Sequence, residues 1–391
     1  MPESRRLKAV QTPIIPVITD LIRAHPGTIS LGQGVVNYGP PSGAAKETMR
    51  FLDEPANNKY QGVSGIPPLR ERIIQKLASE NCIDVGETHG NGLMVTAGGN
   101  QAFLNVVLGI LDPGDEVILP VPYYFNHEMA ITMANARPVL APTGNDYQLD
   151  LGALRAAITP RTRAIVTVSP NNPSGAVYPE AALRAVNALC AEHGIYHISD
   201  EAYEYFTFDD ARHFSPASIS SASAHTISLF SMSKAYGFAS WRIGWMVFPE
   251  ELELAMQKIQ DTVIICPSAI AQCAAAGALS HGPDFVTEKV RALAETRAMV
   301  QRQLGILEKA GLVHVPPASG ALYFLLRLRS RLTPLAYATR LICEHGVAVI
   351  PGDAFGLAEG CHIRIAYGAL EPATVAQGIG RLVAGVQALQ D

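Results

Sequence analysis

The chain has 391 residues, of which 48% are apolar and 17% charged, with 30 basic against 35 acidic side chains and a net charge of −5. That length accommodates a large core and two domains, the composition excludes a disordered protein, and the charge balance gives no electrostatic case for nucleic acid or an anionic membrane as partner. The six cysteines form no CxxC pair and lie mostly in apolar runs, which reads as reduced core thiols in a cytoplasmic protein without a metal site. The first residues lack the apolar stretch of a signal peptide, and nowhere do eighteen apolar residues run together as a membrane span would require.

In chain order, residues 1–30 form a basic, proline-interrupted lead-in with a short amphipathic piece at Ile14–Ile22. LGQGVVNYGPP (Leu31–Pro41) superficially suggests a dinucleotide loop. Asn37 stands where the third glycine belongs, and Pro40-Pro41 bar a following helix, so that motif is rejected. In Asn58–Arg72 two glycines make a turn and Pro67-Pro68 opens a helix through Leu77; Tyr60 lies in this loop. Met94–Leu111 reads as a strand to Thr96, the Gly98-Gly99 pair, then a buried helix. Strand, glycine pair and helix N-terminus together form an anion-binding arrangement, although a plain tight turn has the same pattern. Asp112–Pro120 gives a turn and a strand, with Tyr123 and Tyr124 just beyond.

The continuous apolar runs Ala164–Val168, Ile195–Ser199, Thr226–Phe230 and Ile243–Phe248 predict strands buried on both faces, with a helix at Glu180–His193 between the first two. This alternation predicts an α/β fold. After a break at His281–Phe285 a long helix is expected from Val286 to about Ala310. Short strands follow at Gly320–Leu328, Val347–Ile350 and His362–Tyr367 in a smaller α/β domain.

The polar segments SPNNPSG (Ser169–Gly175), DEAYEYF (Asp200–Phe206) and SMSK (Ser231–Lys234) each follow directly on a strand. In open α/β sheets ligands bind beyond the carboxyl ends of the strands. Asn172, Asp200, Tyr203, Ser231 and Lys234 should therefore face one crevice with Gly98, Gly99 and Tyr124. Each has a duller reading: Asn172 as a turn residue, Asp200 as a cap, Lys234 as a solvated surface amine, Arg364 as an edge charge. Convergence favours the functional reading. Lys234, hemmed in by Ser231, Ser233, Tyr236 and Phe238, has the surroundings of an amine whose pKa is lowered for Schiff-base chemistry. Pyridoxal phosphate requires such an amine, a carboxylate for its ring nitrogen (Asp200) and partners for its phenolic oxygen (Tyr203, Asn172). It also requires a phosphate cradle (Gly98, Gly99, Asn100, Ser231, Arg242) and an aromatic face (Tyr124). An α-carboxylate substrate wants an arginine, and Arg364 in HIRIAYG is the best placed.

The motifs VTAGGNQA, PYY, SPNNPSG, DEAY, SMSK with Arg242 eight residues later, and RIAYG together resemble the class I/II aminotransferases of pyridoxal phosphate fold type I. The resemblance implies a large cofactor-binding domain over 45–282 with a mostly parallel seven-stranded sheet. It also implies a small domain from 1–44 and 283–391. Lys234 would carry the internal aldimine and shuttle a proton in a ping-pong transamination between an amino acid and a 2-oxo acid. Asp200, Tyr203, Asn172, Ser231, Ser233 and Arg242 would hold the cofactor, with Arg364 and Gly34 at the substrate carboxylate. Tyr60 would reach the phosphate of a neighbouring subunit in a homodimer with shared active sites.

The chain departs from the family pattern at Ser240, commonly Gly, at Asn100, often Lys or Thr, and at Tyr124, often Trp. No arginine matches the one that reads a substrate's second carboxylate. KIQDTVIICP (Lys258–Pro267) resembles the subgroup acting on methionine or aromatic amino acids. Val35, Val36, Tyr38, Tyr124, Ile264 and Ile265 are expected at an apolar pocket mouth. The competing enzyme is a lyase or synthase on the same scaffold, a C–S β-lyase or an aminocyclopropane-carboxylate-type synthase.

Overall fold

The computed structural model describes residues 3–390. Its centre is a seven-stranded sheet of β1 (Asn91–Thr96), β2 (Glu116–Val121), β3 (Arg137–Pro142), β4 (Thr162–Val168), β5 (Tyr196–Asp200), β6 (Thr226–Ser231) and β7 (Gly244–Pro249). The spatial order is β1-β7-β6-β5-β4-β2-β3. All strands run the same way except β7, which is antiparallel to both β1 and β6.

The apolar runs alternate between the two faces, as the period of two in a strand requires. Ile227, Leu229, Met246 and Phe248 enter one core with Phe103, Val106 and Ile131 from covering helices. Phe230, Trp245 and Val247 enter the opposite core, where the Phe230 and Trp245 rings stack at 5.6 Å. Farther along, Ile165 and Ile118 pack with Val186, Leu189 and Cys190 of the helix Glu180–His193. The edge strand β3 was not legible, because Pro138 and Pro142 mask it; an edge, with one side unpaired, is where two prolines in one strand are most easily accommodated.

A second, antiparallel sheet has the order Ile350–Pro351, Cys361–Ala366, Tyr323–Leu328, Val313–His314. The expected strand Val347–Ile350 is split. Val347–Ala348 pairs in parallel with Ile29–Ser30, while Ile350–Pro351 pairs with Cys361–Ala366. The expected strand from Gly320 begins at Tyr323, because Gly320 bridges to Thr207 and Ala321 has φ +53. The long helix starts at Pro283 and ends at Lys309. Helices Ser42–Asp53 and Ala269–Leu279 carry no clear sequence signal; Gly43 and Gly277 allow their backbones to touch. None of the six cysteines is in a disulfide, but Cys82 and Cys343 are exposed rather than in the core. Among the described residues no helix is long and apolar enough to cross a membrane.

Candidate active site

Because six strands of the large sheet share one direction, the turns after β1, β4, β5 and β6 lie at one edge. β7 runs backwards, so its first residues lie there too, and with them Arg242. At this edge is a cavity of about 110 Å³ lined by Gly99, Asn100, Tyr124, Asn172, Asp200, Tyr203, Ser231, Ser233, Lys234 and Arg242, with Val168 and Ala202. Two larger, open grooves of about 830 and 780 Å³ lie along the small sheet and share none of these residues.

One end of the cavity is an anion cradle. Gly98 has φ +83 and precedes the helix Gly99–Ile110. Its lack of a side chain admits the Arg242 guanidinium, which a Cβ would strike. That guanidinium donates to the Ala97 carbonyl at 3.1 Å, the Ala239 carbonyl at 3.0 Å and the Ser233 hydroxyl at 3.3 Å. The Ser233 amide donates to the Ser231 hydroxyl at 3.2 Å. Free N–H groups of the helix start, two hydroxyls and a cation thus meet with no carboxylate among the lining residues at this end.

The other end holds Asp200, nearly buried, with its two oxygens divided. Oδ1 accepts from the Ala202 amide at 3.1 Å, so Asp200 does cap a local turn. Oδ2 lies 3.0 Å from His127 Nε2. His127 is 3% exposed and stacked on Phe103 at 4.0 Å. No motif in the sequence singles it out. The available signal was a histidine in the first turn of a helix beginning just past the interior strand β2.

Lys234 lines the same cavity. Its Nζ donates to the Gly34 carbonyl at 2.6 Å and lies 5.7 Å from the centre of the Tyr203 ring. Burial pushes its pKa down to about 8, helped by Arg364 and Arg242 and opposed by Asp200. An amine so placed is partly unprotonated near neutral pH and therefore nucleophilic.

Tyr203 meets Asn172 Nδ2 at 3.5 Å and the Tyr323 hydroxyl at 2.6 Å. Of the paired asparagines, Asn171 serves the turn, accepting from the Ser174 amide at 3.0 Å. Asn172 instead accepts from Arg364 Nη1 at 2.8 Å. Arg364 also donates to the Gly32 carbonyl at 2.7 Å and lies 4.5 Å and 5.1 Å from the Tyr323 and Phe355 ring centres. It is 3% exposed, no carboxylate pairs with it among the described residues, and its Nε has no partner. A buried cation without a counter-charge is costly, so this position suits a carboxylate brought by a ligand.

Tyr124 accepts from Asn126 at 2.8 Å and meets Asn100 at 3.3 Å, and burial raises its pKa to about 12. Tyr60 lies apart, 83% exposed, in a groove with Ile264, Cys266 and Pro267. Of the residues expected at an apolar mouth, Tyr124 lines the cavity, Ile264 lies in the Tyr60 groove, and the Tyr38 hydroxyl donates to the Ala235 carbonyl.

The donor set fits pyridoxal phosphate: a cradle for a dianion, a buried carboxylate opposite, and a poised amine in the same cavity. The family model for aminotransferase class I and II matches residues 26–382. The aromatic aminotransferase ISS1 of Arabidopsis thaliana is 32% identical, over 99% of this chain and 96% of its own length. The aspartate/prephenate aminotransferase of Thermus thermophilus is 34% identical, over 94% of each chain. A solved Thermus thermophilus aspartate aminotransferase bound to maleate superposes with a TM-score of 0.90 at 31% identity, covering 98% of this chain and 100% of that one. This chain belongs to the aminotransferase class I and II family, whose enzymes are pyridoxal phosphate-dependent transaminases.

Proposed function

We propose that this enzyme moves the α-amino group of a large neutral donor, aromatic or methionine-like, to a 2-oxo acid, and that Lys234 is its cofactor-bearing amine. Pyridoxal phosphate supplies an aldehyde that condenses with amines and a protonated ring that accepts an electron pair. The chain's residues do the rest. Asp200, backed by His127, holds the ring-nitrogen proton. Tyr203 and Asn172 bind the phenolic oxygen. Gly98, Gly99, Asn100, Ser231, Ser233 and Arg242 hold the phosphate, and Tyr124 covers one ring face. Arg364 takes the substrate carboxylate with Gly34 alongside. Lys234 Nζ would take up and hand back the proton at the substrate Cα.

The observation that carries this reading is that Lys234, buried and held on the Gly34 carbonyl, lines one cavity with Asp200 and with Ser231, Ser233 and Arg242 of the anion cradle. Borohydride trapping of the bound cofactor followed by peptide mapping should find the label at Lys234. A label on any other lysine overturns the assignment.

The donor class rests on charge. Among the described residues the cavity lining carries two cations, Lys234 and Arg242, and Arg364 stands just outside it, joined through Asn172 and assigned to the α-carboxylate. A second substrate carboxylate would be buried unpaired, whereas an apolar side chain gains about 0.8 kcal/mol per buried methylene. The aromatic aminotransferase of Arabidopsis favours this reading; the aspartate/prephenate relatives favour the other. The kcat/KM values for phenylalanine, methionine and aspartate with 2-oxoglutarate decide it. An aspartate value more than about tenfold higher, roughly 1.4 kcal/mol in transition-state binding, overturns it.

We also infer a homodimer in which Tyr60 of one subunit reaches the other subunit's phosphate, since the exposed Tyr60 beside Ile264 and Cys266 has the character of an interface anchor. A large domain over 45–282 and a small one from 1–44 and 283–391 fit the pairing of Ile29–Ser30 with Val347–Ala348. Six cysteines with no disulfide among them suit a reducing compartment such as the cytoplasm.

A further inference from the structure

The Tyr203 hydroxyl lies 2.6 Å from that of Tyr323. Tyr203 lines the cavity; Tyr323 does not, and stands behind it, 1% exposed. Burial raises both phenols above their ordinary range, so both keep their protons. Two protons and one shared hydrogen bond leave one proton to point elsewhere. Among the described residues the Tyr323 hydroxyl has no partner but Tyr203, and Gly34 closes over it so tightly that a Cβ there would overlap the hydroxyl. Tyr203 alone has open space in front of it. The same Tyr323 ring lies 4.5 Å beneath the Arg364 guanidinium and meets the Tyr203 ring edge-on at 5.5 Å.

We propose that Tyr323 is a positioning residue with two separable tasks: its hydroxyl donates to Tyr203 and so turns the Tyr203 proton into the cavity, and its ring face seats Arg364. This rests on the reading above that Tyr203 meets the cofactor's phenolic oxygen. A proton donated to that oxygen competes with the one held on the neighbouring nitrogen. Weakening the donation therefore raises the pH at which the bound cofactor's visible band changes. Gly34 acquires a purpose from the same geometry: it leaves room for the Tyr323 hydroxyl while its carbonyl accepts from Lys234.

The test is the pH titration of the cofactor's visible band in holoenzyme, with KM for the preferred amino acid measured alongside. Tyr323→Phe should raise the titration midpoint by about half a unit to one unit, the size of one neutral hydrogen bond, and keep KM within about twofold because the ring remains under Arg364. Tyr323→Leu should shift the midpoint as far and also raise KM about tenfold, through loss of the ring face. Tyr203→Phe is the control and should shift the midpoint at least as far as Tyr323→Phe. If Tyr203→Phe shifts the band and Tyr323→Phe lowers only the melting temperature, Tyr323 is merely structural and the proposal fails. Equal KM values for Tyr323→Phe and Tyr323→Leu overturn the seating role. If Tyr203→Phe leaves the band unmoved, the placement of Tyr203 is wrong and the proposal falls with it.

Discussion

The two sides of the site are built by different means. On the large-sheet side the central groups sit at or just past a strand end: Asn172 after β4, Asp200 closing β5, Ser231 closing β6, Lys234 just beyond. Local chain direction alone places them. On the small-sheet side Arg364 and Tyr323 lie inside strands and are aimed by register, with Arg364 opposite Leu325 and Ile350. A one-residue slip would turn Arg364 to the other face. The difference teaches a division of labour: strand ends carry the groups that hold the cofactor and move its protons, and a paired strand carries a cation that must not move. Substitutions on the first side should strike kcat, and those on the second KM.

The largest effect is expected for Lys234→Ala, which removes both the amine and the proton carrier. Transamination should fall by about a thousandfold or more while the circular dichroism spectrum stays native. Residual activity of a few per cent would break the comparison at its strongest point. Asp200→Asn keeps the turn and an acceptor for His127 but loses the charge that holds a proton on the ring nitrogen. Here kcat should drop by about a hundredfold with KM little altered; an unchanged kcat would reduce Asp200 to its cap.

Arg364→Ala belongs to the other side. KM should rise by about tenfold or more for every amino-acid donor alike, because the carboxylate is common to all. A rise confined to one donor class would mean that Arg364 reads side chains. The smallest effect sharpens the charge argument. Burial holds Lys234 near 8 against an ordinary 10.5, so protonated Lys234 costs apoenzyme stability fully below pH 8, and the cost fades as pH climbs towards 10.5. Lys234→Met apoenzyme should melt higher than wild type at pH 7, with the gap closing across that window. A gap independent of pH would show that the amine is not desolvated.

The same division explains what was legible. Asn172, Asp200, Ser231 and Lys234 could be assembled from sequence because an apolar run followed by polar residues marks a strand end without knowledge of its neighbours. Arg364 was found as a lone cation, but its contacts with Asn172, Gly32 and Phe355 depend on long-range pairing that no local pattern encodes. His127 and Tyr323 were missed for a related reason. Each lies behind a recognisable residue, and its role exists only through that residue's side chain. β3 and the helix pair Ser42–Asp53 and Ala269–Leu279 were missed because proline and glycine, read locally as breakers, are here tolerated by an edge or required by close packing.

The reversed strand β7 also bears on how the chain matures. β1 has β7 as its sole neighbour, and Gly98 beyond β1 packs on Arg242 just before β7. Nearly one hundred and fifty residues of intervening chain must be made and arranged before those two meet, which is a late, high-contact-order event. During synthesis β1 therefore waits as an unpaired apolar edge, an aggregation hazard. A ligand that bridges Gly98 and Arg242 would bind only after that edge is closed. Cofactor capture then acts as a latch on the last-formed part of the sheet, and cofactor supply should govern how much of the newly made protein escapes aggregation.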